Sequence, residues 1–315
     1  MNKELLYTMR SPYRDDFRIW GFRFGSGSKS VAIVGAMRGD EVQQQYVCSQ
    51  LVHQLDLIEQ SGGILEDHEI LVVPSVNHFS MNIGKRFWAM DNTDINRMFP
   101  GYDKGETTQR IAAAVFSKLI GYKFGIQLAS FYMPGDFIPH VRMMHTGYED
   151  VEHAKEFGLP YVYKKNPRPF DTTLLNYNWQ IWKTQAYSLY TGHTENIDND
   201  CATIAIQAVL RFMCANGIIN WPIHPGFRSV LVFEQDLFTI KSDKAGIHVV
   251  KVHPYEHVFK DQLLALILDP YDGSVRREVR APADGTVFFI HNRTLVLEYT
   301  VLFRLIPDTI YKARR

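Results

Sequence analysis

The sequence predicts an α/β fold, a mixed sheet flanked by helices, followed by a small all-β domain. Three observations carry this prediction. Short, almost wholly apolar runs such as "SVAIVGA" and "EILVVPSV" recur through the first part of the chain. Runs of that length and character are strands buried on both faces. They alternate with amphipathic helical patterns in the order strand, helix, buried strand, which builds βαβ units. From Arg228 onward the helical period disappears, and short alternating runs separated by turn residues replace it.

Taken in order, "FRIWGFRFG" alternates as a strand and "SVAIVGAM" is a buried one. The next helix puts Val47, Leu51, Leu55 and Ile58 on one face and stops at Gly62-Gly63. "EILVVPSV" is the next strand, and a polar stretch from Asn77 to Gly101 follows it. "ETTQRIAAAVFSKLIGY" is a second amphipathic helix with Ile111, Val115 and Leu119 in line. "KFGIQLAS" and "AYSLYTG" read as further strands, and "DCATIAIQAVLRFMCANG" as the last helix, stopped by Gly217. The texture changes between Trp221 and Gly226, so the expected domains are residues 1–224 and 225–315.

Composition excludes several classes. With 34 basic and 34 acidic residues among 315, the formal net charge is zero. Such balance argues against nucleic acid or an anionic membrane surface as partner. The apolar share of 46% supplies a core. Cys48, Cys201 and Cys214 are too scattered for a disulfide framework or a metal knuckle, and read as free thiols. Neither a membrane-length apolar run nor a signal-peptide core is present, so a cytoplasmic protein is expected. Nothing here decides between a monomer and a homo-oligomer.

Two stretches carry chemistry. At the exit of "SVAIVGA", Arg38, Asp40 and Glu41 sit on a turn that opens a helix, where open α/β sheets place their sites. Acidic residues there also serve as plain helix caps. The second stretch, "NHFSMNIGKRFWAMDNTDINRMFPG", is long and polar, as functional loops are. Arg86 and Arg97 in it are permanent cations suited to two-point grip of a carboxylate, with Asn96 as a neutral donor. Arg38 adds a third cation nearby. Surface pairing of these arginines with Asp91 and Asp94 is the alternative.

Together, "GDE" after the first strand, Asn77, Arg86, "DINRMFPG" (Asp94 to Gly101), "PHVR" and a β-rich tail resemble the succinylglutamate desuccinylase and aspartoacylase family of the zinc-carboxypeptidase superfamily. The resemblance covers most of residues 20 to 220. It implies a zinc-carboxypeptidase-like sheet and hydrolysis of the amide bond of an N-acyl amino acid on one zinc. It also implies Glu41 as ligand, Arg86, Asn96 and Arg97 as substrate contacts, and His140 and Arg142 near the cleft.

This chain departs from the family at the metal. Where the family has its first histidine ligand, it has Arg38. Where the family has Asp-x-His on a later strand, it has Gln127 and Ala129. Tyr190 stands where the catalytic glutamate closes a strand, and Glu195 follows in "GHTENI". Zinc hydrolysis needs about three protein ligands and an open position. The expectation is therefore an altered metal site, with zinc implied by the family and Arg38 carrying a cation in its stead. His140, His145, His193 and Glu195 are the residues from which a rebuilt site would have to come. The expected catalytic residues are Glu41, Arg86 and Glu195; Arg38, Asn96, Arg97, His140 and Arg142 are expected to bind the ligand.

The tail, from "KAGIHVV" to "GTVFFI", resembles a barrel-sandwich hybrid of the biotinyl or lipoyl type, but its hairpin "DPYDGSVRREVRAP" has no acceptor lysine. Two functions stay in view. One is a hydrolase of N-acyl amino acids or related small carboxylates with an altered metal site. The other is an inactive relative that binds a small carboxylate.

Overall fold

The computed structural model describes residues 1–131, 133–192 and 194–313. The chain divides into two units. One holds Met1–Ser130 and Pro139–Ser229; the other holds Phe131–Ile138 and the chain from Val230 onward. The segment Phe131–Ile138, assigned from sequence to the first domain, belongs to the second unit, which begins after Ser229 and not at residue 225.

The first unit opens with β1 (Asn2–Met9), β2 (Phe17–Ala36), α1 (Val42–Gln60), β3 (Asp67–Ser75), α2 (His78–Met81), α3 (Thr107–Leu119) and β4 (Phe124–Leu128). The chain then gives β5 (Gly135–Phe137) to the other unit. It returns with β6 (His140–Met144), α4 (Val151–Lys155), β7 (Tyr161–Lys165), α5 (Leu175–Ile181), β8 (Gln185–Tyr190) and α6 (Asn199–Ala215). The strands run in the order β1-β2-β4-β8-β6-β7, with β3 paired to β2. Pairing is parallel for β2–β4, β4–β8 and β6–β7, and antiparallel for β1–β2 and β6–β8, so the sheet is mixed.

The two runs read separately as strands prove to be one element. β2 doubles around β3: Phe22 and Ile33 both face Val72, necessarily from opposite edges. The reversal uses Gly25 and Gly27, whose φ values of 68° and 129° suit glycine. A Cβ on Gly27 would stand 2.5 Å from an Asp67 carboxylate oxygen. The second half of β2 is buried from Ser30 to Ala36, as its unbroken apolar run requires. Against it α1 lays Val47, Cys48, Leu51, Leu55 and Ile58, and α3 buries Ile111, Val115 and Leu119. Burial pushes the Cys48 thiol pKa well up, leaving it an inert core residue. Each fully buried Leu, Ile or Val of this core contributes about 1.5–3 kcal/mol. Among the described residues no helix is long and apolar enough to cross a membrane.

The turn that follows β2 is fixed by Gly39. Its N–H donates to the Arg86 carbonyl at 2.9 Å. A Cβ there would lie 2.2 Å from the Lys85 carbonyl oxygen. The turn is thereby strapped to the loop that carries Arg86.

The second unit continues with β9 (Val230–Phe233), β10 (Phe238–Lys241), β11 (Gly246–Val250), β12 (His257–Val258), β13 (Leu263–Leu268), β14 (Val275–Arg280), β15 (Gly285–His291), β16 (Leu295–Val296), β17 (Val301–Pro307) and α7 (Asp308–Ala313). The terminal helix was not legible in the sequence. One sheet has the order β10-β17-β15-β12, with β5 added on β15; the other is β14-β13-β11-β16. Phe137 packs its ring 4.6 Å from that of Phe289, and Phe131 lies 4.5 Å from Phe137. The core between the sheets includes Val258, Leu264, Ile267, Val287, Leu302 and Phe303. Two histidines are buried there as well, His248 and His291, with ring centres 6.3 Å apart. Neither ring nitrogen of His248 has a hydrogen-bond partner among the described residues.

Two outcomes are expected. Burial, helped by the neighbouring His291, lowers the His248 pKa to about 4, and burial also lowers that of His291. Below an ordinary histidine pKa of about 6.5 the unfolded chain takes up protons that the folded one refuses. Thermal unfolding of the second unit should therefore be flat in pH above about 7 and weaken as pH falls from about 6.5 toward 4. His248→Phe should reduce that slope, measured by calorimetry between about pH 7 and 5; an unchanged slope contradicts the assignment. In the first unit, Gly39→Ala should destabilise by about 1–3 kcal/mol through overpacking against the Lys85 carbonyl. Denaturant titration reads this directly.

Candidate functional site at the strand exits

Three segments converge where β2 and β4 end. The first is the turn Met37 to Glu41. The second is the one-turn helix Ile95–Arg97, whose cap Asp94 accepts from the Asn96 N–H at 3.1 Å. The third is the exit of β4, with Gln127, Ala129 and Ser130. Carboxyl ends of parallel strands are where such sheets hold ligands.

Glu41 occupies the cap position of α1 but makes no side-chain capping bond. Its carboxylate turns back instead. One oxygen accepts from the N–H groups of Met37 at 2.8 Å and Arg38 at 3.1 Å. The other accepts from Arg38 Nη1 at 3.0 Å and from the Ser130 hydroxyl at 2.5 Å. Arg38 reaches in the other direction to Asp94, with Nε at 3.1 Å and Nη2 at 2.8 Å from one oxygen. Both members of the pair are buried, Glu41 at 1% and Arg38 at 8% exposure. Burial disfavours the Arg38 charge, and the two carboxylates outweigh it, raising its pKa above the ordinary arginine value. Arg38 has five N–H donors in all. Three of its nitrogens donate one bond each within the protein, and no further acceptor stands against it among the described residues.

The other two arginines are also paired. Arg86 Nη1 donates to Asp40 at 2.5 Å. Arg97 donates to the Phe170 carbonyl at 2.9 Å, lies over the Phe170 ring, and stands 3.6 Å from Asp94. The sequence reading has Asp94 orient one arginine and leaves the others for a ligand, with pairing to Asp91 and Asp94 as the alternative. In the structure Arg38 meets Glu41 and Asp94, Arg86 meets Asp40, and Arg97 stands near Asp94. For Arg38 the reason is desolvation, since a guanidinium withdrawn from water requires counter-charges. Arg97 keeps the most exposed side chain of the three, at 37%, against 26% for Arg86 and 9% for Arg38. Asn96 is buried, and its side-chain oxygen accepts from Gln127 at 3.2 Å.

His140 and Arg142 share one face of β6, two residues apart. The Arg142 guanidinium lies 4.2 Å from the Tyr190 ring centre and 4.7 Å from that of Tyr163. His140 stacks on Tyr190 at 5.2 Å. Tyr190 thus serves as the platform of this cluster. His145 is exposed and bonded through Nδ1 to Glu149 at 2.5 Å. His193 lies outside the described residues. Glu195 is exposed and takes part in none of the bonds of the Met37–Glu41 turn. Its loop is nonetheless tied to the first turn of α1. Gln43 N donates to the Thr194 carbonyl at 3.1 Å, and the Gln43 amide exchanges two bonds of 2.9 Å with the Asp198 backbone.

Sequence reasoning missed Ser130 as a partner of Glu41. The clue available was its place at the strand exit that also carries Gln127 and Ala129. Asn77 was noted only as a strand-exit residue. It is 1% exposed, and neither atom of its amide finds a partner among the described residues. Its neighbour Val76 bonds to the Ala36 carbonyl at 2.7 Å, so Asn77 borders the same turn.

A zinc ion does not fit these residues. A carboxylate offers about four lone-pair positions. The Glu41 carboxylate already accepts four bonds, one of them from a permanent cation. Ala129, on the strand exit, has no donor atom to offer.

Comparison with known proteins agrees with this architecture. Residues 27–213 match the catalytic domain of the succinylglutamate desuccinylase/aspartoacylase family. Over 299 residues, 89% of this chain and 84% of the relative, the sequence is 22% identical to an N-alpha-acetyl-L-2,4-diaminobutyric acid deacetylase of Halomonas elongata. A succinylglutamate desuccinylase/aspartoacylase structure from Rhodobacter sphaeroides superposes with a TM-score of 0.77 at 18% identity, covering 93% of this chain and 90% of that one. The product-bound ectoine utilization protein of Ruegeria pomeroyi gives 0.76 at 18% identity, with 92% and 89% covered. Because the match to the family's catalytic domain spans more than half of this chain, the chain belongs to the succinylglutamate desuccinylase/aspartoacylase family.

Proposed function

We propose that this protein is a hydrolase of the amide C–N bond of N-acyl amino acids or related small carboxylates, working from an altered metal site. The observation that carries the reading is the Asp94–Arg97 turn, seated against the turn of Arg38 and Glu41 in a chain of this family. The relatives support the substrate class: one is a deacetylase of an N-acetylated diamino acid, another an ectoine utilization protein with product bound.

Arg97 is the ligand contact of choice, because its side chain is the most exposed of the three arginines and its one carboxylate neighbour among the described residues stands at 3.6 Å. A ligand carboxylate competes with Asp94 for it in charge-assisted bonds. Asn77 offers a buried donor and acceptor beside the turn. Amide hydrolysis also requires a base for water. Glu41 is ill suited, since both its oxygens are engaged. Glu195 is the better base: its carboxylate is exposed, and its loop is pinned to the start of α1, two residues beyond Glu41. Arg86, tied to Asp40, orients the turn more readily than it polarises a carbonyl.

A second reading, ligand binding without turnover, is favoured by one observation. The Arg38–Glu41 pair occupies the place from which the family draws its chemistry, and a guanidinium does not acidify a water as zinc does.

Two measurements separate these. Turnover is assayed across a panel of N-acyl amino acids by mass spectrometry. On the hydrolase reading, Glu195→Gln lowers kcat by about 10² to 10⁴ with little change in KM; wild-type turnover in that variant removes Glu195 from the mechanism. Calorimetry with the same panel reads binding. Arg97→Ala is expected to weaken it about ten- to a hundred-fold, the size of one charge-assisted bond. Arg97-dependent binding with no turnover selects the second reading, and no binding at millimolar ligand overturns both.

A further inference from the structure

The family leads one to expect a metal at the turn after β2, and the structure puts a guanidinium there. We infer that Arg38 is the resident cation of this site: it holds Glu41 and Asp94 in place of a divalent metal, and the space its guanidinium fills is selective for a planar monocation.

The charge count comes first. Among the described residues, three carboxylates, Asp40, Glu41 and Asp94, pair with three guanidinium groups, Arg38, Arg86 and Arg97. These pairs balance in charge. A divalent ion added to them leaves two uncompensated positive charges beside a buried arginine, an arrangement that low local polarity makes costly. Geometry agrees. Glu41 and Asp94 lie on different sides of one guanidinium, Glu41 on Nη1 and Asp94 on Nε and Nη2. A flat fork with separated donors matches two carboxylates set apart in this way, whereas a point charge does not. Ser130 and the backbone of Met37 and Arg38 complete the Glu41 shell, so that carboxylate is oriented without any ion from solution. The site is thus assembled by folding alone and needs no loading.

This inference does not rest on turnover or on the ligand proposed above, and its test uses neither. Wild type, Arg38→Ala and Arg38→Lys are compared as full-length chains by thermal unfolding and elemental analysis. Wild type is expected to hold well under one zinc per chain and to melt at the same temperature with chelator or added zinc. Arg38→Ala leaves two carboxylates without their counter-charge, and its first unit should melt lower by roughly 6 °C or more. Guanidinium chloride at about 20 mM should recover part of that loss by binding the vacated space, and sodium chloride at the same concentration should not. If Arg38→Ala does not fold, Arg38→Lys decides: charge is kept and the fork is lost, so a lower melting point than wild type is expected. The inference is overturned by about one tightly held zinc in wild type whose removal lowers its melting point. It is equally overturned by Arg38→Ala melting as wild type does, by recovery with sodium chloride alone, or by Arg38→Lys matching wild type.

Discussion

A permanent charge has been taken out of water at the turn after β2, and the local structure is arranged around that fact. Arg38 is 8% exposed and cannot shed its proton. Leaving such a charge unpaired costs several kcal/mol, so carboxylates must meet it. Glu41 and Asp94 do so from segments more than fifty positions apart in sequence, which joins the opening turn of α1 to the "DINR" loop. Asp94 also caps the turn of Asn96 and neighbours Arg97. One guanidinium therefore fixes the position of Glu41 relative to the Asp94–Arg97 turn. Its pairing with Glu41 also takes from that glutamate its freedom to act as a metal ligand or base.

The scaffold supplies the precision this pairing requires. The exit of β2 pairs with β3 along one edge and with β4 along the other, so it is anchored from two sides before the turn begins. Gly39 then brings the turn against the Lys85–Arg86 backbone at a distance no side chain would permit. On the other side, β4 runs parallel to β2 and delivers Gln127 and Ser130 to Asn96 and Glu41. Gly125 in β4 allows the Trp179 ring to approach so closely that a Cβ would lie 2.7 Å from it. Packing of that density keeps strand exits in register, and a register slip of one residue would turn Gln127 away from Asn96.

Much of this was legible in the sequence, for physical reasons that differ from residue to residue. The buried strands could be read because parallel strands covered on both faces must be apolar throughout, as Ile33 and Ile126 are. The faces of α1 and α3 could be read from the spacing of Leu51 and Leu55, and of Ile111 and Val115. Family membership was carried by "DINRMFPG", a motif too specific to arise from packing alone. The pairing of Arg38 with Asp94 in particular was not legible: nothing local distinguishes Asp94, which meets Arg38, from Asp91, which serves the Thr93 backbone. The doubling of β2 was hidden because a strand that reverses at Gly25 and Gly27 looks like two strands. Tyr190 marked a departure from the family, but its use as a platform for His140 and Arg142 depends on the register of β6 against β8.

The loan of β5 to the second unit has a consequence for how the chain is made. Gly135–Phe137 leaves the ribosome some 150 residues before β15, the strand it must pair with. Contacts of such sequence separation are slow to form, because the intervening loop must be closed before any pairing energy is gained. Until β15 emerges, Phe131 and Phe137 are apolar rings without their final neighbours, in the middle of a first unit that is otherwise nearly complete. Evolution by joining or exchanging the β-rich tail is constrained for the same reason. A cut after Ser229 removes a strand's partners and leaves β15 with a bare edge, a form that invites pairing with other chains. The two units are separate in their cores and inseparable in their threading.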